Sequence, residues 1–322
     1  MSPDTARRAP PNPIARRAVL ALALLVVAAC AAPSPPAMPP APDAGAIRAA
    51  SWNLHYIDAT VAPDPSWTDS AWRARRGALE HAARTLDADL LALQEVEVHD
   101  GDRSLDDPRL GWLLAALPGH RAAAVRFDGG VTPGQPILYR ASEFAVLDEG
   151  FAFYDDPDAS FRSLRAFAGY PDAVTWARLR HRASGRALTV FNVHFHFFDS
   201  AQRLRSARQV LARAEAAQAR GDAVIVLGDF NARRNSRTVD LFRAAGFRRA
   251  GARGATFHFN AGLHLFGAID HVLHDAATVP AAPPLTWRGG AGGRPPSDHY
   301  PVVADLRLSA PRRAAPRHRA GH

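Results

Sequence analysis

The chain of 322 residues contains no lysine, so all 39 of its basic side chains are arginine. This absence excludes a Schiff-base lysine and the lysine of a phosphate-binding P-loop. Cys30 is the one cysteine, so no disulfide can form within the chain. The apolar run Ala18–Ala29 has twelve residues, whereas a helix needs roughly 20 to cross a bilayer core. Two lysine-dependent chemistries and a disulfide framework are therefore excluded, and this run is too short to span a membrane.

Most of the net charge of +8 lies at the two ends of the chain. Residues 1–29 carry four arginines against Asp4, and residues 310–322 carry four arginines, which leaves a charge of +1 for residues 30–309. The composition of 22% charged and 47% hydrophobic residues excludes collagen-like, coiled-coil and wholly disordered chains. Because the central part is nearly neutral, its total charge does not by itself indicate a nucleic-acid partner.

The first 29 residues have the pattern of a signal peptide: arginines, then an apolar run, then small residues before Cys30. The sequence Val27–Cys30 resembles the bacterial lipobox, which implies cleavage before Cys30 and lipid attachment to that cysteine. The alternative is a buried cysteine after an ordinary signal peptide. Arg16 and Arg17 also permit twin-arginine export. We expect an exported lipoprotein that is anchored to a membrane of the cell envelope.

Three further segments follow the signal peptide. Residues 30–46 are rich in proline and alanine and predict an extended tether. Residues 47–309 are long enough for one large folded domain and show no internal repeat. Residues 310–322 predict a basic, disordered tail, since they hold few large apolar side chains. We expect the folded domain to be a monomer.

Short apolar runs alternate with amphipathic ones along the folded domain. Uniformly apolar runs predict central strands, and apolar residues at steps of three and four predict helices. The predicted strands are Ala49–Leu54, Asp89–Glu95, Val174–Leu179, Leu188–Phe195, Ala223–Leu227, Ile269–Leu273 and Val302–Leu308. The predicted helices are Trp72–Leu86, Leu110–Leu117 and Ser200–Arg220, the last ending at Gly221. Helices interleaved with buried strands indicate a layered α/β domain.

Polar side chains gather where these predicted strands end. Six such positions occur in order along the chain. They are Asn53, Gln94-Glu95, Asn192 with His194, Asp229 with Asn231, Asp270-His271, and Ser297-Asp298-His299. One carboxylate after a strand is often a turn or a helix cap, and Asp229 with Asn231 fits that interpretation equally well. Six positions together indicate a catalytic site.

Short motifs around these positions resemble the endonuclease/exonuclease/phosphatase superfamily, which has the deoxyribonuclease I-like fold. The motifs are SWNL at 51–54, LLALQEVE at 90–97, NVH at 192–194, VLGDFNA at 226–232, TFH at 256–258, IDHVL at 269–273 and SDHYPVVADL at 297–306. The resemblance implies a four-layer α-β-β-α sandwich with two mixed sheets. It also implies a metal-dependent phosphoester hydrolase site at one end of those sheets.

Oxygen ligands suit Mg²⁺ or Mn²⁺, and Asn53, Glu95 and Asp298 are the candidate ligands. The resemblance implies that His299 is the general base, oriented by Asp270. It also implies that Asp229 positions the attacking water and that Asn231 bonds a phosphoryl oxygen. His194 would contact the phosphate, although a lone histidine on a strand is more often a core residue. We expect a phosphoester hydrolase that activates water by general-base catalysis.

His196 departs from the pattern of many bacterial members, which have an aspartate at this position. His194 and His196 lie on the same face of a predicted strand, and two such histidines can bind a transition metal. No third soft ligand is apparent in the sequence. Zinc binding by this pair is thus an alternative to the magnesium site.

The sequence leaves several substrates possible. A nuclease acting on DNA or RNA outside the cytoplasm is the first hypothesis, and a phosphoesterase for phospholipid head groups, inositol phosphates or nucleotides is the second. A third hypothesis is an inactive surface binding module, although no residue of the expected set is missing. Side chains that could line a phosphate-rich groove are Phe151–Tyr154, Arg162, Arg165, Arg233, Arg234 and Arg237. Solvated surface arginines explain the same pattern equally well.

Overall fold

The structure, a computed structural model, describes residues 38, 40–58, 66, 68–96, 98–99, 108–125, 134–154, 173–251, 254–289 and 296–309. Several predictions lie outside these residues. They concern the signal peptide, Cys30, most of the tether, Arg162, Arg165 and the basic tail at 310–322. No helix in the described part of the chain is long and apolar enough to cross a membrane.

The seven predicted strands and three predicted helices are all present, with ends that differ by a few residues. The strands are β1 (Ala46–Asn53), β2 (Ile57–Asp58), β3 (Leu90–Gln94), β4 (Val98–His99), β5 (His120–Ala123), β6 (Ile137–Arg140), β7 (Phe144–Phe153), β8 (Ala173–His181), β9 (Ala187–His194), β10 (Ala223–Asp229), β11 (Arg248–Arg249), β12 (Asp270–His274), β13 (Thr278–Pro280), β14 (Leu285–Thr286) and β15 (Val302–Leu308). The helices are α1 (Asp69–Leu86), α2 (Pro108–Ala116), α3 (Ser200–Ala219) and α4 (Arg237–Ala244).

Thirteen of these strands form two mixed sheets, as predicted, and β2 and β4 form a separate two-stranded parallel sheet. The first has the order β13-β15-β1-β3-β6-β5, with β14 also paired to β15. The second has the order β11-β12-β10-β9-β8-β7. In the first sheet β1, which ends at Asn53, lies between the parallel β3 and the antiparallel β15. In the second sheet β10, which ends at Asp229, lies between the parallel β9 and the antiparallel β12. The ends of β1 and β10 therefore occupy equivalent places in the two sheets.

Three apolar clusters define four layers. Side chains of both sheets, among them Ala49 of β1 and Leu227 of β10, form the central cluster. The outer face of the first sheet packs on α1, where Leu79 is fully buried. The outer face of the second sheet packs on α3 and α4, for example through Val210 and Phe242. This arrangement confirms the α-β-β-α sandwich.

The space between the sheets changes from apolar to polar toward the carboxyl ends of the central strands. Alternate residues of a strand share one face, and in β10 the apolar residues Ile225 and Leu227 are followed on that face by Asp229. In β1 the apolar Ala49 is followed on its face by Ser51 and then Asn53. The polar ends of both strands thus meet at one end of the sandwich.

Gly228 allows β9 and β10 to approach each other closely beside this polar end. Its φ angle is +147°, and a Cβ atom there would overlap the carbonyl oxygen of Val193 on β9. We expect Gly228→Ala to lower the free energy of unfolding by about 3 kcal/mol, since side-chain overlap and backbone strain add. Urea unfolding measures the change.

Gly221 supplies the matched control for this prediction. Its φ angle is +88°, but no atom lies within 4 Å of the position that a Cβ would occupy. Gly221→Ala should therefore lower the free energy of unfolding by about 1 kcal/mol, from backbone strain alone. Equal losses in the two variants would contradict the close approach of the two strands.

Candidate active site

Asn53 and Glu95 lie at the ends of the neighbouring parallel strands β1 and β3. The Asn53 side chain donates a hydrogen bond from Nδ2 to Glu95 Oε1 at 2.8 Å. Glu95 Oε2 accepts a hydrogen bond from the backbone N–H of Tyr56 at 2.9 Å. Glu95 has a φ angle of +59°, a conformation that costs a non-glycine residue free energy and is common at functional sites. These contacts hold the partly exposed carboxylate in one position.

Asp229 connects the two sheets through its carboxylate. One oxygen, Oδ1, accepts the backbone N–H of Asn231 at 2.8 Å, which is the turn that the Asp-x-Asn pattern allows. The other oxygen, Oδ2, accepts a hydrogen bond from Asn53 Nδ2 at 3.2 Å. Burial and the negative charge of Asp270 raise the pKa of Asp229 to about 6. The turn interpretation is therefore correct for one oxygen, while the other faces the site.

His299 and Asp270 form a buried imidazole–carboxylate pair. His299 Nδ1 lies 3.0 Å from Asp270 Oδ2, and His299 Nε2 lies 3.7 Å from Asp229 Oδ2. Burial lowers the pKa of His299, but the charges of Asp270 and Asp229 outweigh burial and hold that pKa well above its ordinary value. Asp270 thus fixes one ring nitrogen, and the other ring nitrogen faces the remaining site residues.

Asp298 contacts His55, a histidine that the sequence analysis did not select. Asp298 Oδ2 lies 3.0 Å from His55 Nδ1, and His55 Nε2 lies 2.7 Å from the Ser66 hydroxyl. Burial alone would raise the pKa of Asp298, but the hydrogen bond from His55 and the charges of nearby histidines lower it to about 2. The carboxylate is therefore ionised at neutral pH.

His194 and Asn231 both lie close to Asp229. His194 Nε2 is 3.7 Å from Glu95 Oε1 and 3.8 Å from Asp229 Oδ2, and 18% of the His194 side chain is exposed. Asn231 has a φ angle of +46° and donates from Nδ2 to the carbonyl oxygen of Phe195 at 2.9 Å. The structure therefore brings both predicted residues to the same site, where His194 is partly exposed.

His196 has a structural role that disfavours the zinc alternative. Its Nδ1 accepts backbone N–H groups of Phe198 and Asp199 at 3.2 Å and 3.0 Å. His196 therefore shapes the turn before α3, and the nitrogen that accepts these two bonds is not free to bind a metal. Among the described residues, the group of three or more His, Cys, Asp or Glu side chains with ligand atoms within 4.8 Å of one another is Asp229, Asp270 and His299, and neither His194 nor His196 belongs to it.

The site residues fit a hard divalent cation. Four carboxylates, those of Glu95, Asp229, Asp270 and Asp298, gather around Asn53 and His299 at this end of the sandwich. Their oxygen atoms are the donors that Mg²⁺ and Mn²⁺ prefer. The raised pKa of Asp229 arises partly from the charge of a second carboxylate, and a bound cation would offset this repulsion.

Several supporting contacts escaped the sequence analysis, although Gln94 and Asn192 were among its polar strand ends. Trp52 Nε1 donates to the backbone carbonyl of His299 at 3.0 Å, and Thr256 Oγ1 accepts the N–H of Asp270 at 3.2 Å. Gln94 Nε2 donates to Asn192 Oδ1 at 2.7 Å and so connects the two sheets behind the site. Thr256 belongs to the TFH motif, which was the available indication. The other contacts depend on tertiary structure.

A buried histidine near the site gives the protein a predicted sensitivity to acid. Burial lowers the pKa of His271 to about 4, and its Nε2 contacts the carbonyl oxygen of Ala232 at 2.8 Å. A histidine in the unfolded chain has a pKa of about 6.5. Between that pH and pH 4 the unfolded state binds a proton at this residue and the folded state does not, so the folded state loses stability as the pH falls. We expect this residue to remove about 3 kcal/mol of stability as the pH falls from 6.5 to 4.

Urea unfolding between pH 7 and pH 4 tests this contribution. His271→Leu lacks the titrating group, so its stability should fall less steeply over that range than that of the unmodified chain. The two chains should have parallel pH dependence above pH 7, where the histidine is neutral in both states. Identical slopes between pH 6.5 and pH 4 would show that His271 does not carry the effect.

A model of the Endonuclease/Exonuclease/phosphatase family matches residues 50–299. Among curated proteins, no sequence matches the chain at a significant level. The family match covers every predicted catalytic and metal-ligating residue from Asn53 to His299.

Solved structures with a similar fold come from bacteria and animals. An endonuclease/exonuclease/phosphatase from Bacteroides vulgatus is 22% identical with a TM-score of 0.66, and the match covers 82% of this chain and 99% of that one. A mannosyl-6-phosphatase from Bacteroides thetaiotaomicron is also 22% identical with a TM-score of 0.60, covering 81% and 100%. D. rerio TDP2 complexed with a single-strand DNA product is 15% identical with a TM-score of 0.57, covering 82% and 99%. At these identities the likeness shows the fold.

Proposed function

The chain belongs to the Endonuclease/Exonuclease/phosphatase family, and on that basis we propose that it is a divalent-metal-dependent phosphoester hydrolase. The first candidate activity is that of a nuclease. The family consists of phosphoester hydrolases. The observation that carries the proposal is the His299–Asp270 pair facing Asp229 at 3.7 Å, at the point where the central strands of both sheets end. An oriented imidazole beside buried carboxylates suits the activation of water near phosphorus.

The proposed metal site uses oxygen donors. Glu95 would hold Mg²⁺ or Mn²⁺ together with Asn53 and Asp298, since these residues offer two carboxylates and an amide. A bound divalent cation would supply charge to stabilise the phosphoryl oxygens in the transition state. Asn53 already fixes one Glu95 oxygen, and the Tyr56 N–H fixes the other, so the carboxylate is positioned in advance.

The remaining residues act on water and phosphate. His299 accepts the proton of the attacking water through Nε2, because Asp270 holds Nδ1. Asp229 orients that water, and Asn231 donates to a phosphoryl oxygen. His194, near both Glu95 and Asp229, stabilises the charge that develops on the phosphoryl group. Each role is exerted by a side chain that the fold brings to the same end of the sheets.

A small phosphoester or a phospholipid head group is the second candidate substrate. The similar structures include both a mannosyl-6-phosphatase and a protein with bound single-strand DNA product, so the fold accommodates both kinds of substrate. The alternative of an inactive binding module is disfavoured because the predicted set from Asn53 to His299 is complete.

A product assay separates the candidate substrates. Incubation with Mg²⁺ and, in turn, plasmid DNA, single-stranded RNA, phosphatidylinositol and mannose 6-phosphate should give a cleaved polymer for the nuclease. A released head group or free phosphate would instead support the second candidate. Folded, Mg²⁺-binding protein that turns over none of these substrates would favour the binding module.

We also propose that the protein is exported and anchored to a membrane through lipid on Cys30. This proposal rests on the arginines, apolar run and lipobox-like Val27–Cys30 of the sequence. Expression in a bacterial host should give a membrane-bound product with the mass of a diacylglycerol attached. Cys30→Ser should release the protein from the membrane fraction. An unmodified, membrane-free product from the unaltered chain would contradict the anchor.

A further inference from the structure

A groove of about 1340 Å³ opens directly beside the candidate active site. Asn231 and Ile269, the residue before Asp270, belong to its lining. The groove continues past the first turns of α3 and α4. Small-ligand pockets usually measure about 300–1,000 Å³, so this groove is large enough for a ligand that extends beyond a single phosphoester.

The groove concentrates positive charge on an otherwise nearly neutral domain. Four arginines line it: Arg203, Arg233, Arg234 and Arg237. No aspartate or glutamate occurs among the described residues of the lining. Because residues 30–309 carry a net charge of only +1, four arginines in a groove whose described lining has no carboxylate are a local concentration of positive charge. Their charge is complementary to a ligand with several phosphates.

Aromatic side chains border these arginines. Phe197, Phe257 and Phe266 line the groove, and Phe197 and Phe266 are 58% and 42% exposed. The Arg233 guanidinium lies 5.4 Å from the centre of the Phe266 ring. Exposed rings next to arginines are the elements that bind unpaired bases and the phosphates between them.

We propose that this groove binds a segment of single-stranded nucleic acid that continues from the phosphoester held at the active site. The arginines contact successive phosphates, and the phenylalanines stack on unpaired bases. Bases in a duplex already stack on each other, so the rings favour a single strand. The inference rests on the proposed phosphoester hydrolase and names the substrate class of that site.

The lining also argues against a lipid surface as the occupant. Leu263 and Leu265 are 50% and 68% exposed on the segment that leads to Phe266, but neither lines the groove. The large apolar side chains of the lining are three phenylalanines, Leu204 and Ile269, and they are mixed with Arg, Ser, Asn and Thr side chains. Insertion into acyl chains would place those charged groups in hydrocarbon at high cost.

Fluorescence anisotropy with a labelled 12-residue oligothymidylate tests the groove. The measurement uses the full chain in EDTA, so that binding is read without turnover. Arg233→Ala combined with Arg237→Ala should weaken binding about tenfold or more and reduce the slope of log K against log salt by about 1.4, as expected for two lost phosphate contacts on a single strand. Phe266→Ala should weaken binding about fivefold or more.

Arg243→Ala is the matched control, because Arg243 lies on α4 like Arg237 but outside the lining. This control should change the dissociation constant less than twofold. Equal effects of the Arg233→Ala/Arg237→Ala double variant and of Arg243→Ala would overturn the proposal. It would also be overturned by equal or tighter binding of a 12-base-pair duplex, or by binding to phosphatidylglycerol vesicles without binding to the oligonucleotide.

Adding Mg²⁺ separates failure of the groove from failure of the proposed function. Oligonucleotide binding through the groove without strand cleavage would support the groove and contradict the hydrolase. Strand cleavage that is unchanged in the groove variants would support the hydrolase and contradict the groove.

Discussion

Replacing His299 with alanine should lower kcat by about 10²–10⁴-fold while leaving KM within a fewfold of its original value. The imidazole is expected to take a proton from water in the transition state, and losing a positioned general base has an effect of that size. Asp270 holds the Nδ1 side at 3.0 Å, so the catalytic nitrogen is Nε2. Steady-state kinetics on the substrate identified by the product assay measures both constants.

The pH dependence of the Asp270→Asn variant shows whether His299 acts as a base. Asp270 contributes negative charge that raises the pKa of His299, and a general base is active in its deprotonated form. Removing that charge should lower the pKa of His299 and move the acidic limb of the pH–rate profile to lower pH, while maximal kcat falls. An acidic limb that stays in place would contradict a base role. So would equal losses in kcat and substrate affinity in His299→Ala.

Replacing Glu95 with alanine should abolish metal-dependent activity, with a loss on the order of 10³-fold or more. Glu95 is the predicted ligand whose two oxygens are both positioned by neighbours, Asn53 and the Tyr56 N–H. The fold should remain, and Tm without metal should stay equal or rise, because one carboxylate leaves an acidic cluster. Calorimetric titration with Mg²⁺ should show weakened binding.

Glu80→Ala is the control for this prediction. Glu80 lies on α1 and pairs with Arg84 at the surface, away from the strand ends. Its replacement should leave both Mg²⁺ affinity and kcat unchanged. A loss of secondary structure in Glu95→Ala, or Mg²⁺ binding equal to that of the Glu80→Ala control, would show that Glu95 supports the fold and does not hold the metal.

The fold was largely predictable because its central strands are buried on both faces. Runs such as Ala223–Leu227 are apolar without alternation, and so they predict strands that are covered by layers on each side. The ten-residue edge strand β7, whose middle residues are exposed, did not emerge from the pattern, and neither did the short strands and α4. The eight residues of Arg237–Ala244 contain too few periodic positions to predict a helix.

Site residues that end predicted strands could be predicted from the sequence. Contacts that depend on the geometry of a loop could not. Asn53 and Asp229 follow apolar runs, so their convergence could be expected. His55 reaches Asp298 from a left-handed backbone conformation with a φ angle of +65°, which a non-glycine residue adopts infrequently. The role of His196 depends on two backbone N–H groups that the following turn directs at its ring.

The groove beside the active site could not be predicted from the sequence either. Phe197, Arg233 and Phe266 come from three separate segments of the chain. Sequence alone could not distinguish Arg233 and its neighbours from solvated surface arginines, because charge opposition depends on which acidic residues share the surface. The structure supplies that information, since no carboxylate occurs among the described lining residues.

Nicking of circular single-stranded DNA by the full chain, in Mg²⁺ and in EDTA, tests the central claim most directly. Glu95→Ala and Glu80→Ala are run beside the unmodified chain. We predict nicking in Mg²⁺ by the unmodified chain and by Glu80→Ala, with none in EDTA and none by Glu95→Ala. Nicking that persists in EDTA, or that survives in Glu95→Ala, would contradict a metal-dependent phosphodiesterase centred on this site.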